Sequence, residues 1–334
     1  MAKTSGTQVN IGLGIEVAAG TAITAAIYPK WLDFSMNPIV EKSLFTAARG
    51  VRNESSNSMI RRKYGEGSLS VVPNVEIAPY LLRLALGGTV ATALLEAGVW
   101  QHTISEQNSN ASHKSFTLLS EEGAIITERY ANCIINTLAI EVGDDYAKMT
   151  ADIISMYPDT GTVTEAYTDE TEFAYHQVTI KFGTSVTDAA SQSATPVKSF
   201  SLNINNNIML DEAFMSGSNE ALAGSIIPGR QKITGSYSLH FEDATELAKY
   251  KANTKNAAVI QMTGALIGAT KYEEIRINLA RLVLTKPPKE FNIDGLLVLT
   301  QEFEVEYNAT ETYAIQALVT NEEENAADAT YTPS

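Results

Sequence analysis

The chain has 334 residues, 44% hydrophobic and 19% charged, with 24 Lys and Arg against 39 Asp and Glu for a formal net charge of -15. That is length for about two domains and apolar material enough to give them cores, which excludes a disordered acidic chain. The negative surplus also excludes a protein that clamps nucleic acid, since binding phosphates takes a surplus of Lys and Arg.

From the N-terminus, MAKTSGTQVNIGLG lacks the apolar stretch of a secretory signal, and no run approaches the ~18 apolar residues of a membrane helix. Both point to a product kept in a cytoplasm until assembly and not inserted in a membrane. The glycines of Ile11-Gly12-Leu13-Gly14-Ile15-Glu16 give GxG. The third glycine of a dinucleotide site is missing and no βαβ unit follows. A long segment from about Pro38 to Lys63 reads as a loop and carries Arg49, Arg52, Arg61, Arg62 and Lys63. Loops of that length within compact domains are usually functional, and this one is basic on an acidic chain, so it calls for a negative partner.

The spacing predicts a helix over Asn74–Leu86, with Ile77, Leu81, Leu84 and Ala85 on one side and a stop at Gly87-Gly88. Alternation then predicts strands over Ser115–Leu119, Cys133–Val142 and Lys148–Met156, with Gly143-Asp144-Asp145 as a hairpin turn. The polar, acidic stretch 158–172 reads as a boundary. Beyond it Phe200, Leu202 and Ile204 alternate with polar residues, as do Tyr237, Leu239 and Phe241. A second long loop, about Asn206 to Gln231, carries Asp211, Glu212 and Glu220 and opposes the first in charge. Asp243–Lys251 opens like a capping box, with Asp243 as cap and Glu246 three residues on. Strands follow over Val259–Thr263 and Ile275–Leu279, then turn signals at Pro287, Pro288 and Asp294-Gly295. In Gln301–Tyr307, Phe303, Val305 and Tyr307 take one face and Glu302, Glu304 and Glu306 the other.

The order of strand, long loop, strand, helix, strand and hairpin thus occurs twice. Phe34 and Phe200 stand 166 residues apart, Gly67-Ser68 and Gly235-Ser236 168 apart, and Gly20-Thr21 and Gly183-Thr184 163 apart. The expectation is two tandem copies of one mainly β domain, at 1–160 and 161–320, each with one flanking α-helix, followed by an acidic flexible tail at 321–334.

No chemistry is legible. Cys133 sits in an apolar run as an inert thiol, and His102, His113, His176 and His240 are dispersed surface or strand residues without metal-ligand spacing. There is neither a nucleophile elbow nor a P-loop, and alternate glutamates on a strand line one face without forming an acid–base pair. The reading is of a protein that is not an enzyme and holds no cofactor or metal.

The motif Ile11-Gly12-Leu13-Gly14-Ile15-Glu16 with Ala19-Gly20-Thr21-Ala22, the Gly-Ser strand, the helix closing in Leu84-Ala85-Leu86-Gly87-Gly88 and Trp100-Gln101-His102 resemble the major tail tube proteins of long-tailed bacteriophages. Ser199-Phe200-Ser201-Leu202 and Thr234-Gly235-Ser236 extend the resemblance, which covers roughly residues 9 to 320. It implies a β-sandwich or barrel with a flanking helix and a long stacking loop. It also implies rings that stack into a tube carrying double-stranded DNA from capsid to cell without binding it specifically. The partners implied are the chain itself, tape measure, terminator and baseplate or tip proteins. The location implied is the virion, after synthesis in the host cytoplasm. Two copies per chain suggest a trimeric ring with pseudo-sixfold symmetry, with a hexamer as the alternative. A terminator or baseplate ring, or a carbohydrate-binding β-sandwich adhesin, are the rival readings. An acidic bore would repel DNA, so Asp152, Glu302, Glu304 and Glu306 are expected to face the lumen. Arg49, Arg52, Arg61, Arg62, Lys63, Asp211, Glu212 and Glu220 are expected to make contacts between subunits or rings.

Overall fold

The computed structural model describes residues 9–46, 57–108, 113–123, 125–163, 167, 171–210, 226–240, 245–287 and 298–324. The chain order is β1 (Val9–Ile15), β2 (Trp31–Phe45), β3 (Asn57–Val71), α1 (Ile77–Leu86), β4 (Gly87–Glu96), β5 (Val99–Glu106), β6 (Phe116–Glu122), β7 (Ile126–Val142) and β8 (Lys148–Ser155). It continues with β9 (Val178–Gly183), α2 (Val186–Ser191), β10 (Val197–Asn205), β11 (Met209–Leu210), β12 (Ile226–Ile227), β13 (Lys232–His240), α3 (Thr245–Ala252), β14 (Asn256–Leu266), β15 (Tyr272–Leu284), β16 (Val298–Val305) and β17 (Ile315–Asn321). The protein is mainly β, and every strand pairing is antiparallel.

In the first half β1 pairs β6, β6 pairs β7, β7 pairs β8, β8 pairs β3 and β3 pairs β2. In the second half β9, β14, β15, β16, β13 and β10 pair in the same order. Gly67 stands between Met36 and Ile153, and Gly235 between Leu202 and Phe303. Gly20 lies in the turn beyond β1 whereas Gly183 is the last residue of β9, so that pair does not share a place. The halves join where β10 pairs β7, from Phe200 against Val142 to Asn205 against Thr137. β7 reaches this junction by changing partner along its length, from β6 at its start to β10 at its end. The β4–β5 hairpin belongs to the first half alone and pairs with β17 of the second.

Alternation decides which side of each strand is buried. Leu69, Ala151, Leu138, Leu202, Tyr237 and Phe303 turn into one core that runs through both halves, while their neighbours in sequence, the buried Ser70 excepted, turn to the other face and are more exposed. The helices differ sharply. All ten residues of α1 are buried, so it is a central element and not a flanking one. The Asn74 carboxamide accepts the Glu76 and Ile77 N–H groups at its start, and Gly87 ends it in the left-handed region, donating its N–H to the Arg83 carbonyl. α3 buries none of its residues. Phe182, Tyr237, Phe303 and Phe200, with successive ring centroids 4.9, 6.0 and 6.2 Å apart, fill the core in that half. Glu246 spends its carboxylate on the Tyr237 hydroxyl and Lys249, and its expected cap Asp243 lies outside the described residues.

The segment Pro38–Lys63, read as a loop, is a correction. Except for 47–56, which lie outside the described residues, it belongs to β2 and β3, which pair from Trp31 against Val71 to Phe45 against Asn57 as a long hairpin arm. Both faces of the outer arm are exposed, so its sequence shows no alternation. The second half carries the shorter β11–β12 pair in the same place. Tyr307, expected to pack inward, is 52% exposed because β16 ends at Val305. Residue 321, where the tail was expected to begin, is instead the end of β17. The Asn321 carboxamide oxygen and the Glu323 carbonyl both accept from the His102 Nε2–H.

Candidate functional site: a polar wall and two arms

The solvent face of β2, β3, β8, β7, β10, β13 and β16 forms one continuous surface across both halves. In register, Ser35, Ser68, Asp152, Thr137 and Asn205 make one row across it. Asp33, Ser70, Thr150, Ala139, Asn203, Thr234 and Glu304 make the next. Lys148, Glu141, Ser201, Ser236 and Glu302 follow, then Ser199, Ser238 and Thr300, while Lys232 extends the first row beyond Asn205. None of these residues is an arginine or an aromatic.

Hydroxyl pairs bridge the strands of this wall. Ser35 and Ser68 are 3.2 Å apart and Ser201 and Ser236 3.0 Å; Ser70 and Thr150 are 2.9 Å apart and Ser238 and Thr300 3.2 Å. The two pairs in the first half occupy the places of the two in the second. In each pair one hydroxyl donates and the other accepts, so every pair takes up one of the two donors that would otherwise be offered to whatever passes the surface.

The sequence-predicted acidic residues all stand on this face, but not as bare charges. Glu302 lies 2.6 Å from Lys286, Glu306 2.8 Å from Lys255 and Glu304 3.6 Å from Lys232, all with exposed or half-exposed side chains. Such exposed pairs add little stability; their effect here is to lower the net charge of the wall. Asp152 is the exception: its surroundings desolvate the carboxyl and raise it above the ordinary aspartate range. Sequence reasoning missed the serines and threonines because each partner lies at least 33 residues away, and only the register brings them together.

The predicted contact residues divide. Arg49, Arg52, Asp211, Glu212 and Glu220 lie outside the described residues. Arg61, Arg62 and Lys63 stand on β3. Arg62 is 2.6 Å from Glu41 and its guanidinium lies 5.1 Å from the Tyr64 ring centre, while the Lys63 ammonium lies 5.3 Å from that of Tyr157. The guanidinium holds Glu41 below the usual carboxylate range. Lys42 and Arg61 are the exposed cations of the outer arm among the described residues.

The GxG segment is structural. Glu16, 2% exposed, accepts the Gly20 N–H at 2.8 Å, the Ser115 hydroxyl at 2.7 Å, the Thr117 hydroxyl at 3.0 Å and the Asn132 N–H at 2.9 Å. Burial pushes the Cys133 thiol up, as suits an inert group. Neither His102 nor His113 is a surface residue. Both are buried, and desolvation lowers both below the ordinary histidine value. Among the described residues no group of His, Cys, Asp and Glu could hold a metal ion, and no helix is long and apolar enough to cross a membrane.

A polar face flanked by long arms is built for contact with other macromolecules, and comparison with known families says of which kind. The family model described as phage tail tube protein matches residues 6–306. The chain belongs to the phage tail tube protein family. No curated protein matches it. Membership makes it a structural component of the virion, of a family that self-assembles into the tail tube with other tail proteins as neighbours.

Proposed function

We propose that this tail tube protein forms rings that stack into a hollow tube, with the polar wall facing the bore through which double-stranded DNA passes. The observation that carries the reading is the wall itself: one uninterrupted face across both halves, rich in hydroxyls and carboxylates, with its lysines held beside glutamates. DNA presents about one phosphate charge per 1.7 Å of axis, so a bore with unpaired Lys or Arg would hold it through released counterions. A wall whose lysines lie beside carboxylates and whose residual charge is negative lets it slide. Asp152, Glu302, Glu304 and Glu306 are the lumen residues on this reading.

The repeated pairing order supports one domain written twice, with a boundary near residue 160. Three chains then supply six equivalent domains, and the β7–β10 junction within a chain is the pattern for the junction between chains. The first hairpin arm, with Arg61, Arg62 and Lys63, reaches the next ring, and Asp211, Glu212 and Glu220, in the chain between β11 and β12, supply further contacts between subunits or rings. Tape measure, terminator and baseplate or tip proteins are the partners at the ends and inside.

Electron microscopy of the purified protein tests this directly. The expected result is long hollow tubes whose end views average to three chains per ring. In those tubes a cysteine at Thr234 should react with a small maleimide and be shielded from one too bulky to enter the bore. Isolated rings that never elongate would favour a terminator or baseplate role, and equal labelling by both reagents would remove the wall from the bore.

A further inference from the structure

β8 ends at Ser155, opposite Gly65, and beyond that point β2 and β3 run on together. The end of this first arm carries Leu44, Phe45, Met59 and Ile60 at 62%, 55%, 62% and 45% exposure, flanked by the exposed Lys42 and Arg61. Large apolar side chains grouped in water at the end of a two-stranded ribbon mark a contact surface. At the opposite end of β8 the β7–β8 turn exposes Glu141, Asp144, Asp145 and Tyr146. These residues rim a shallow groove of about 340 Å³, which Phe200 and Ser201 of β10 also line. The matching turn in the second half, after β15, opens with Lys286, which pairs with Glu302, and its residues 288–297 lie outside the described residues.

We propose that the end of the first arm docks on the β7–β8 turn of a second copy of this chain in the adjacent ring, and not on the turn after β15. The inference rests on the tube reading above and names the seat for its arm. Lys42 and Arg61 meet Asp144 and Asp145, while the apolar end of the arm is covered against Tyr146 and the groove. Because the two surfaces lie at opposite ends of the same strands, the contact is head-to-tail and repeats without closing, as a filament requires. A ring of three chains offers the arm two kinds of seat, and among the described residues only the first presents an acidic pair to the basic arm. Rings therefore stack in one rotational register although their domains are nearly equivalent.

The test uses four variants of the full chain, all at exposed positions, with circular dichroism checking the fold. Asp144→Lys with Asp145→Lys should give rings that do not stack. Adding Lys42→Glu and Arg61→Glu should restore tubes, and Lys286→Glu alone should make stacking less regular without abolishing it. A Met59→Cys, Tyr146→Cys variant should form a disulfide between chains in tubes and none in isolated rings. Tubes of normal length from the reversed turn, failure of the second reversal to restore them, or tubes without the disulfide would each overturn the seat while leaving the tube reading intact. A wild-type protein that forms no tubes would sink the tube reading and the seat with it.

Discussion

Asn206 is where the two halves are stitched together. Its N–H donates to the Asn136 carbonyl at 2.8 Å, and its side-chain amide donates to the Ala85 carbonyl at the end of α1 and the Ile135 carbonyl of β7, both at 2.9 Å. Gln231 in turn donates to its side-chain oxygen at 3.0 Å. Replacing it with Ala removes one partner from each of two buried carbonyls, so Asn206→Ala should cost about 1–3 kcal/mol in denaturant unfolding. A cost near zero would mean that the two halves do not depend on this residue. His102 is buried with its hydrogen bonds made in the neutral form: its Nε2–H faces the Asn321 and Glu323 acceptors, and its Nδ1 lies 3.0 Å from the Thr92 hydroxyl. His113 likewise donates from Nε2 to the Leu84 carbonyl at 2.8 Å. Both titrate lower in the folded chain than in the unfolded one, so the unfolded chain binds the extra protons first as pH falls. Stability should therefore hold above pH 6.5, the ordinary histidine value, and decline below it until the folded-state values are passed. Melting temperatures from pH 8 to 5 check this, and His102→Gln should make the decline shallower.

Among the elements, the glycines of β3 and β13 show how close the strands pack. A Cβ built on Gly67 collides with the Ser35 carbonyl, and one on Gly235 with the Ser201 carbonyl and the Phe303 ring. Gly67→Ala and Gly235→Ala should each destabilise by about 1–3 kcal/mol, as overpacking does, measured by chemical denaturation. Similar losses at both would fit two copies of one domain; a loss at only one would count against that reading. Sequence reasoning found these glycines but not the reason for them. It found the strands whose two faces differ in burial: Glu302 and Glu304 face solvent while Phe303 and Val305 are buried. It missed the arm, because Leu44 and Phe45, or Met59 and Ile60, are exposed in succession and leave no period of two. It missed β4 for the same reason, since Ala91 to Leu95 are all exposed at a sheet edge. For α1 it placed the helix but not its depth: an apolar stripe and a helix buried all round differ at Ala78, Pro79, Tyr80, Leu82, Arg83 and Leu86, which the rest of the fold encloses. The hydroxyl pairs of the wall had no sequence signal, since a serine is ordinary on any exposed strand face.

At the scale of the whole molecule, the net charge of -15 is not concentrated on the wall. Glu302, Glu304 and Glu306 each stand beside a lysine, so what the proposed bore offers DNA is chiefly a lattice of neutral hydroxyls with a small negative residue. Passage without binding then depends less on repulsion than on keeping the cations of the wall beside carboxylates, and that distinction can be measured. Lys286→Ala and Lys255→Ala would release two carboxylates and make the wall more acidic. If repulsion governed, DNA ejection would change with them; if the absence of free cations governs, it stays as in wild type. Thr234→Lys and Asn203→Lys would instead place two cations on the wall in each chain, six in a ring of three, repeated at every ring. Tubes of this variant should retain short double-stranded DNA in a sedimentation assay, with retention falling steeply as salt rises, since each neutralised phosphate contributes a slope of about -0.9 to the logarithmic salt dependence. Wild-type tubes should retain none at the same ionic strength. Retention by wild type, or indifference of the lysine variant, would show that the face meeting DNA is not this one.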